Sequence, residues 1–430
     1  MQIKVSSNET LLEKIKLKTW LRDSLLLLRD GLILWENPVW ALLFSFLVYW
    51  LLAVTNGPIQ LPSVTPYYNF LADAFLHGQL NLRLLPPSIH DLVVFEGRYY
   101  LYWPPFPAIL IMPLIALFGV GFSDILFTLV AGALNVFLVA HILRSANQQQ
   151  LIHLSAVQRA LMVLFFALGT VHITLAPYGR VWYTGQVVGF LCLALAYLLA
   201  LRLEGWKAFL FTGLAIACAF LTRNHLLFAG LWPAVVLLKK HAATGWRRTL
   251  YYTLVGLLPV LLAFGSLAAY NYLRFGSAIE VGLNYHLMDR VFLQDYQKYG
   301  AFHPHYFATN FYYQYLAYPF PVRPETYMGG SLFLLSPVFL AAVWGIRSGR
   351  PRWSVLALVL TILLVNLPIL FLMGTGWIQF GPRYTLDFSL PLMLLTALGL
   401  RNWPAWVLGI LVIISLIHYV SGAIILMDVM

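Results

Sequence analysis

Between Pro62 and Phe118 the sequence gathers carboxylates (Asp73, Asp91, Glu96), guanidiniums (Arg83, Arg98) and an aromatic run (Tyr99, Tyr100, Tyr102, Trp103). Such groups held at the edge of water can do chemistry. A carboxylate takes the proton of an attacking hydroxyl. A guanidinium grips an anionic leaving group through two parallel hydrogen bonds. Aromatic faces stack on a sugar or bracket a hydrocarbon chain, although interfacial Trp and Tyr are expected in any membrane protein. Arginines recur farther on: Arg180 in YGRVWYTG, Arg223 in LTRN, Arg274, Arg290, Arg323, and Arg383 in QFGPRY. Each alone has a plain explanation, snorkelling to a headgroup or pairing with Asp289, Asp295 or Glu325. As a set they point to a phosphate.

The elements that must position these groups are membrane spans. The chain is 61% hydrophobic and 10% charged, with a mean hydropathy of +0.78, against roughly 25% charged residues in a soluble domain. Apolar runs near 38–56, 122–144, 158–176, 184–203, 206–221, 225–238, 248–271, 331–346, 354–373, 383–400 and 403–426 approach the ~20 residues that cross a bilayer. The fold class is therefore an all-α polytopic membrane protein of about eleven spans. Residues 1–37 read as a cytoplasmic amphipathic segment without a cleavable signal peptide. Residues 38–430 read as one transmembrane domain with outer loops 57–121 and 272–330. The +11 charge is scattered rather than gathered on one face, so membrane orientation and anionic lipid explain it better than nucleic acid. Cys192 and Cys218 fall inside spans and imply neither a disulfide nor a metal site.

Basic residues set the orientation. Lys14, Lys16, Lys18, Arg22 and Arg29, the Lys239–Arg248 loop and the Arg347–Arg352 loop all belong in the cytoplasm by the positive-inside tendency. Parity then holds only if residues 104–119, broken by Pro104, Pro105, Pro107 and Pro113, do not cross. They are expected to form an interfacial or re-entrant helix on the outer side, where the arginines and both polar loops also lie.

The order Y-x-x-x-LADAFLHG, GRYYLYWPPFPA, R-V-W-Y-T-G-Q, L-T-R-N, N-Y-L-R-F-G and Q-F-G-P-R-Y-T-L-D resembles the C-type-fold glycosyltransferases that use polyprenyl-phosphate sugars. That superfamily includes protein O-mannosyltransferases and lipid A aminoarabinose transferases, and the bacterial branch is the nearest in style. The resemblance implies a multi-pass enzyme of the bacterial plasma membrane, with its N-terminus cytoplasmic. Such an enzyme moves a sugar from the carrier to an acceptor hydroxyl with inversion and needs no further cofactor. Its partners are membrane lipids, the polyprenyl-phosphate sugar, and a glycan, lipid or protein acceptor.

Relatives place an acid just after the first span, where this sequence has Ser63-Val64-Thr65. The candidate bases are therefore Asp73 and Asp91. Asp73 could instead pair with Arg83, and Asp91 could bond its own turn. Candidate substrate-binding residues are Arg98, Tyr99, Tyr102, Arg180, Arg223 and Arg383, with Trp182 and Trp377 as further aromatics. Asp124 is expected to cap the second span, and Asp387 to pair with Arg383 at i,i+4. His303-Pro-His305 lacks a recognised third ligand, so no metal is expected. The alternative class is a lipid or saccharide transporter, which would show duplicated halves and mid-membrane charges. The discriminating geometry is whether an acid and at least two of the arginines converge on one cavity.

Overall fold

The structure, a computed structural model, describes residues 29–323, 328–374, 376 and 379–427. The N-terminal lysines, Glu325 and Trp377 lie outside these residues.

Helices α1 (Pro38–Asn56), α2 (Tyr67–Leu76), α3 (Phe106–Phe118), α4 (Asp124–Gln148), α5 (Ala156–Leu168) and α6 (Val181–Arg202) are followed by α7 (Gly205–Phe220), α8 (Leu231–Lys240) and α9 (Trp246–Phe275). Then come α10 (Arg290–Tyr299), α11 (Phe307–Phe311), α12 (Leu332–Leu335), α13 (Ala342–Ser348), α14 (Arg352–Phe371), α15 (Leu386–Gly399) and α16 (Ala405–Met427). Local chemistry starts several of them. The Asn37 side chain accepts from Val39 N ahead of Pro38, Ser123 caps α4, and Ser155 with Gln158 forms a capping box on α5, satisfying orphan N–H groups of the first turn. The expected Asp124 cap is thus one residue off: Ser123 is the cap, and Asp124 lies in the first turn.

Seven of the helices, α5 counted with its extension to Thr174, are long and apolar enough to cross a membrane. Seven such helices stand against the roughly eleven spans expected; α3, α7 and residues 337–348 are apolar but shorter. The class is an all-α polytopic membrane protein. Helices α1, α4, α6, α7 and α9 pack in that spatial order, while α15 joins α13 and α14 to α6. Burial separates centre from rim: 78% of the apolar stretch of α6 is buried, against 17% for α9. Leucines such as Leu254, Leu258, Leu261 and Leu262 leave α9 exposed, as a lipid-facing surface requires.

Inside the bundle, polar groups pair because hydrocarbon offers no partner. Asn135 Nδ2 donates to Val187 O (3.0 Å) and to His172 Nε2 (3.2 Å). Tyr49 Oη donates to Ala167 O (2.8 Å) and lies 2.9 Å from His172 Nδ1. With the phenol proton committed to the carbonyl, the imidazole must donate from Nδ1 and accept at Nε2.

Helix α3 does not cross. Phe106 N–H donates to Leu221 O at its start, and just past its end Asn69 Nδ2 reaches Val120 O and Phe122 O beside the Ser123 cap. Both ends therefore sit at the same end of the bundle. With α2, Trp103 and Val181 it forms a separate apolar cluster there. Pro113 lies inside the helix, and Gly119 ends it at a φ of 74°.

The same end carries a β-hairpin that the sequence reading did not anticipate. Strand β1 (Val93–Phe95) pairs antiparallel with β2 (Arg98–Tyr100), Val93 opposite Tyr100. Its two-residue turn, Glu96 and Gly97, has φ of 48° and 71°, the left-handed pair that a tight hairpin demands. A short parallel pair joins β3 (Met328–Gly329) to β4 (Gln379–Phe380).

Candidate active site

The hairpin brings the chemistry together. Its register, carried two residues outward, sets Asp91 across from Tyr102. A third segment docks alongside: Asp91 N–H donates to Leu287 O (3.2 Å) and Leu287 N–H to Leu92 O (2.7 Å). His286 thereby reaches Asp91, with Nε2 3.2 Å from Oδ1. His90 Nε2 lies 3.5 Å from the same oxygen, and Trp182 Nε1 donates to Oδ2 at 3.0 Å. Asp91 adopts a φ of 62°, a left-handed conformation uncommon outside glycine but tolerated by Asp. Such strain persists where surrounding contacts over-determine it, often at functional sites.

Asp91 opens onto a cavity of about 350 Å³ lined also by His90, Tyr102, Arg180, Trp182, Tyr183, His286, Asp289, Phe292, Gly376, Arg383 and Tyr384. Tyr102 stacks on Trp103 (3.9 Å) and meets His286 edge-on. Burial, then the nearby Asp91 charge, hold its phenol well above the usual value, so it remains a hydroxyl donor. Arg383, buried at the foot of α15, lies 4.8 Å from the Tyr384 ring and 5.8 Å from that of Tyr183.

Arg180 is placed by a latch that begins in the first loop. Ser63 N–H donates to Asp124 Oδ1 (2.7 Å), and Ser63 Oγ lies 2.7 Å from Asp124 Oδ2 and 2.9 Å from Gly179 O. A Cβ on Gly179 would come within 2.3 Å of Ile125 N, so only glycine lets this turn sit on the first turn of α4 and present Arg180 to the cavity. Ser63, where the resemblance implies an acid, instead binds one brought by α4.

Of the residues expected from sequence, Asp91, Tyr102, Arg180 and Arg383 meet in this cavity. Arg223 lies behind it, 5.5 Å from the Tyr384 ring, and is held by Asp387. Asp387 Oδ2 accepts from Arg223 Nη2 (2.8 Å) and Nε (3.2 Å) and lies 2.8 Å from His225 Nε2. The i,i+4 pair expected between Asp387 and Arg383 is not formed. Asp73 does not line the cavity; both its oxygens accept from Arg83, at 3.0 Å each, and this bonding raises the Arg83 guanidinium above its usual value. Arg98 is exposed beside the hairpin turn, and Tyr99 packs on the α2–α3 cluster.

Sequence reasoning missed His90, His286, Tyr183, Asp289 and Tyr384 as cavity residues. The Arg-Tyr dipeptide at 383–384 was a local signal for the last, but His286 has none, since its place depends on pairing with a distant loop. Among the described residues, no three His, Cys, Asp or Glu side chains gather closely enough to hold a metal ion. His303 and His305 lie with Tyr299 on an exposed turn, stacked on its ring in the case of His305.

No protein-family model and no curated protein matches the sequence. Solved structures do match. ArnT from Cupriavidus metallidurans bound to undecaprenyl phosphate aligns with a TM-score of 0.52 at 15% identity, covering 86% of this chain and 61% of that one. The apo state of ArnT aligns at 0.50, with 16% identity and the same coverage. The apo oligosaccharyltransferase of Archaeoglobus fulgidus aligns at 0.45, with 13% identity, 91% of this chain and 55% of that one. This chain thus spans about three fifths of the length of ArnT, with which it shares the C-type glycosyltransferase fold.

Proposed function

We propose that the chain is a multi-pass membrane glycosyltransferase that moves a sugar from a polyprenyl-phosphate carrier to an acceptor hydroxyl, with inversion at the anomeric carbon. The meeting of Asp91 with Arg180 and Arg383 in one cavity, on the fold of a protein crystallised with undecaprenyl phosphate, carries this reading. Asp91 keeps lone pairs beyond those facing Trp182 and the histidines, so it can accept the acceptor's proton as the new bond to C1 forms. The bond from C1 to the carrier phosphate breaks, and the electron pair leaves on the phosphate. Arg180 and Arg383 neutralise the charge that develops there, where fixed donors are worth most. Tyr102 donates from the side wall. The proton on Asp91 returns to water after product leaves.

Basic residues at the other end of the bundle, including Arg144, Arg202, Lys239, Lys240, Arg347 and Arg352, support a cytoplasmic assignment for that end and an outward one for the cavity. In that orientation the N-terminus is cytoplasmic, and the resemblance in style to the bacterial branch favours a bacterial plasma membrane. The carrier lipid is the donor substrate, and no separate cofactor is assigned.

The test offers purified protein a panel of radiolabelled polyprenyl-phosphate sugars with a membrane-lipid extract as acceptor. Sugar release is expected from one carrier, lost in Asp91→Asn, with a raised KM for carrier in Arg180→Ala and Arg383→Ala. Carrier movement across proteoliposomes without release would overturn the transferase in favour of a transporter.

A further inference from the structure

At the end of the bundle away from the cavity, several cations have partners. Arg159 Nε donates to Glu36 Oε1 (2.9 Å), Arg144 Nε lies 4.0 Å from that oxygen, and Lys240 Nζ lies 2.8 Å from Glu204 Oε1. Arg202 Nε donates to Ser145 Oγ (2.7 Å), and Arg352 donates to Ile346 O and Arg347 O. Another group of cations faces a cavity instead. A polar cavity of about 210 Å³ between the 348–350 loop and the 398–402 turn is lined by Arg350, Arg401, His153 and Asn402, with no carboxylate in its wall. Arg350 donates only to the neighbouring Gly349 O. Arg401 and His153 have no hydrogen-bond or ion-pair partner among the described residues.

The cavity has a fixed floor. A Cβ on Gly399 would fall 1.9 Å from Ala341 O, and one on Gly345 would fall 2.1 Å from Leu395 O, so α13 and α15 are pressed together beneath it. Its depth is marked by tryptophans. Trp344 meets Trp403 edge-on at 5.3 Å, and both Trp344 and Trp406 are exposed. Such rings settle at the boundary between headgroups and hydrocarbon.

We propose that this cavity is a second, non-catalytic site that binds a phosphate group at headgroup depth. Two guanidiniums give the paired donors that phosphate oxygens accept, and the imidazole and amide add single donors. The phosphate can belong to an anionic phospholipid of the adjoining leaflet, which attracts basic pockets of this kind, or to a soluble phosphate.

The experiment measures thermal protection of the full chain in neutral detergent by short-chain phosphatidylglycerol, by phosphatidylcholine and by inorganic phosphate. Phosphatidylglycerol is expected to protect at concentrations where phosphatidylcholine does not. Arg401→Gln and Arg350→Gln should each weaken that protection roughly tenfold, the effect of losing one charge-assisted hydrogen bond. Arg247→Gln, an exposed cation at the start of α9 that lines neither cavity, should leave it unchanged. Both substituted side chains are exposed, so the variants should fold. Protection by inorganic phosphate that is lost in the same two variants would support the site and assign it a soluble ligand. Equal protection by both lipids, or undiminished protection in Arg401→Gln, would overturn it.

Discussion

Removing the charge of Asp387 should destabilise the protein without touching the reacting groups. Its side chain is 1% exposed, and those of Arg223 and His225 are 12% and 20% exposed, so water does little to screen the pair. In Asp387→Asn, the Arg223 guanidinium stays where it is and loses its counter-charge. Breaking one side of a buried pair costs about 3–5 kcal/mol. Scaled by an unfolding entropy of about 2.1 cal/mol/K per residue over 430 residues, that lowers the melting temperature by about 3–6 °C in a detergent melt. The double variant Arg223→Met/Asp387→Leu removes both charges and should recover most of the loss, because a buried pair is often replaceable by apolar residues of similar size. A single variant that melts with the parent, or a double variant no better than the single, would refute a structural role. A double variant that is stable yet inactive would move Arg223 into the substrate site.

Asp91→Asn should lower kcat for sugar transfer by about 10²–10⁴, the usual worth of a general base, whereas Asp73→Asn should lower the melting temperature and spare kcat. Asp124→Asn should melt within about 1 kcal/mol of the parent. Its amide can accept from Ser63 N–H and donate to Ser63 Oγ, releasing the hydroxyl proton for Gly179 O. Asp124→Leu leaves these buried groups unpaired, at about 1–3 kcal/mol each, and should raise the KM for carrier as the Arg180 turn loosens. Burial raises the phenols of Tyr68 and Tyr102 above the ordinary value. Their folded pKa therefore exceeds the unfolded one near 10, so melting temperature should hold up to about pH 10 and fall above it. Incubation with EDTA should leave turnover unchanged; a loss restored by a divalent cation would place a metal in the chemistry.

The spans were legible because hydrocarbon imposes length and composition on each one separately, and the prolines around 104–113 announced a helix that does not cross. Contacts made over short distances in sequence were less reliable than they looked. Arg98 follows Asp91 by seven residues, yet the Glu96–Gly97 turn leaves it outside the cavity. Arg383 precedes Asp387 by four residues, but residues 383–385 form a 3-10 turn before α15, so helical spacing does not apply between them. Asp387 turns instead to Arg223, its neighbour in space but 164 residues away in sequence. Tyr102 and Asp91 were named from residue type and from their place in the first outer loop, while their meeting depends on the hairpin register and on the docking of residues 286–287. Those are tertiary facts that no window of sequence contains.

The hydrogen-bond logic around His172 also gives the bundle a spectroscopic signature. Among the eleven histidines of the chain, this one is locked between Tyr49 and Asn135 with its proton on Nδ1. In a nitrogen-15 spectrum of histidine-labelled protein, it should give one pyrrole-type and one pyridine-type resonance, whereas an imidazole that exchanges between tautomers gives averaged lines. The pair of lines would report whether α1, α4 and α6 remain assembled, independently of events in the cavity.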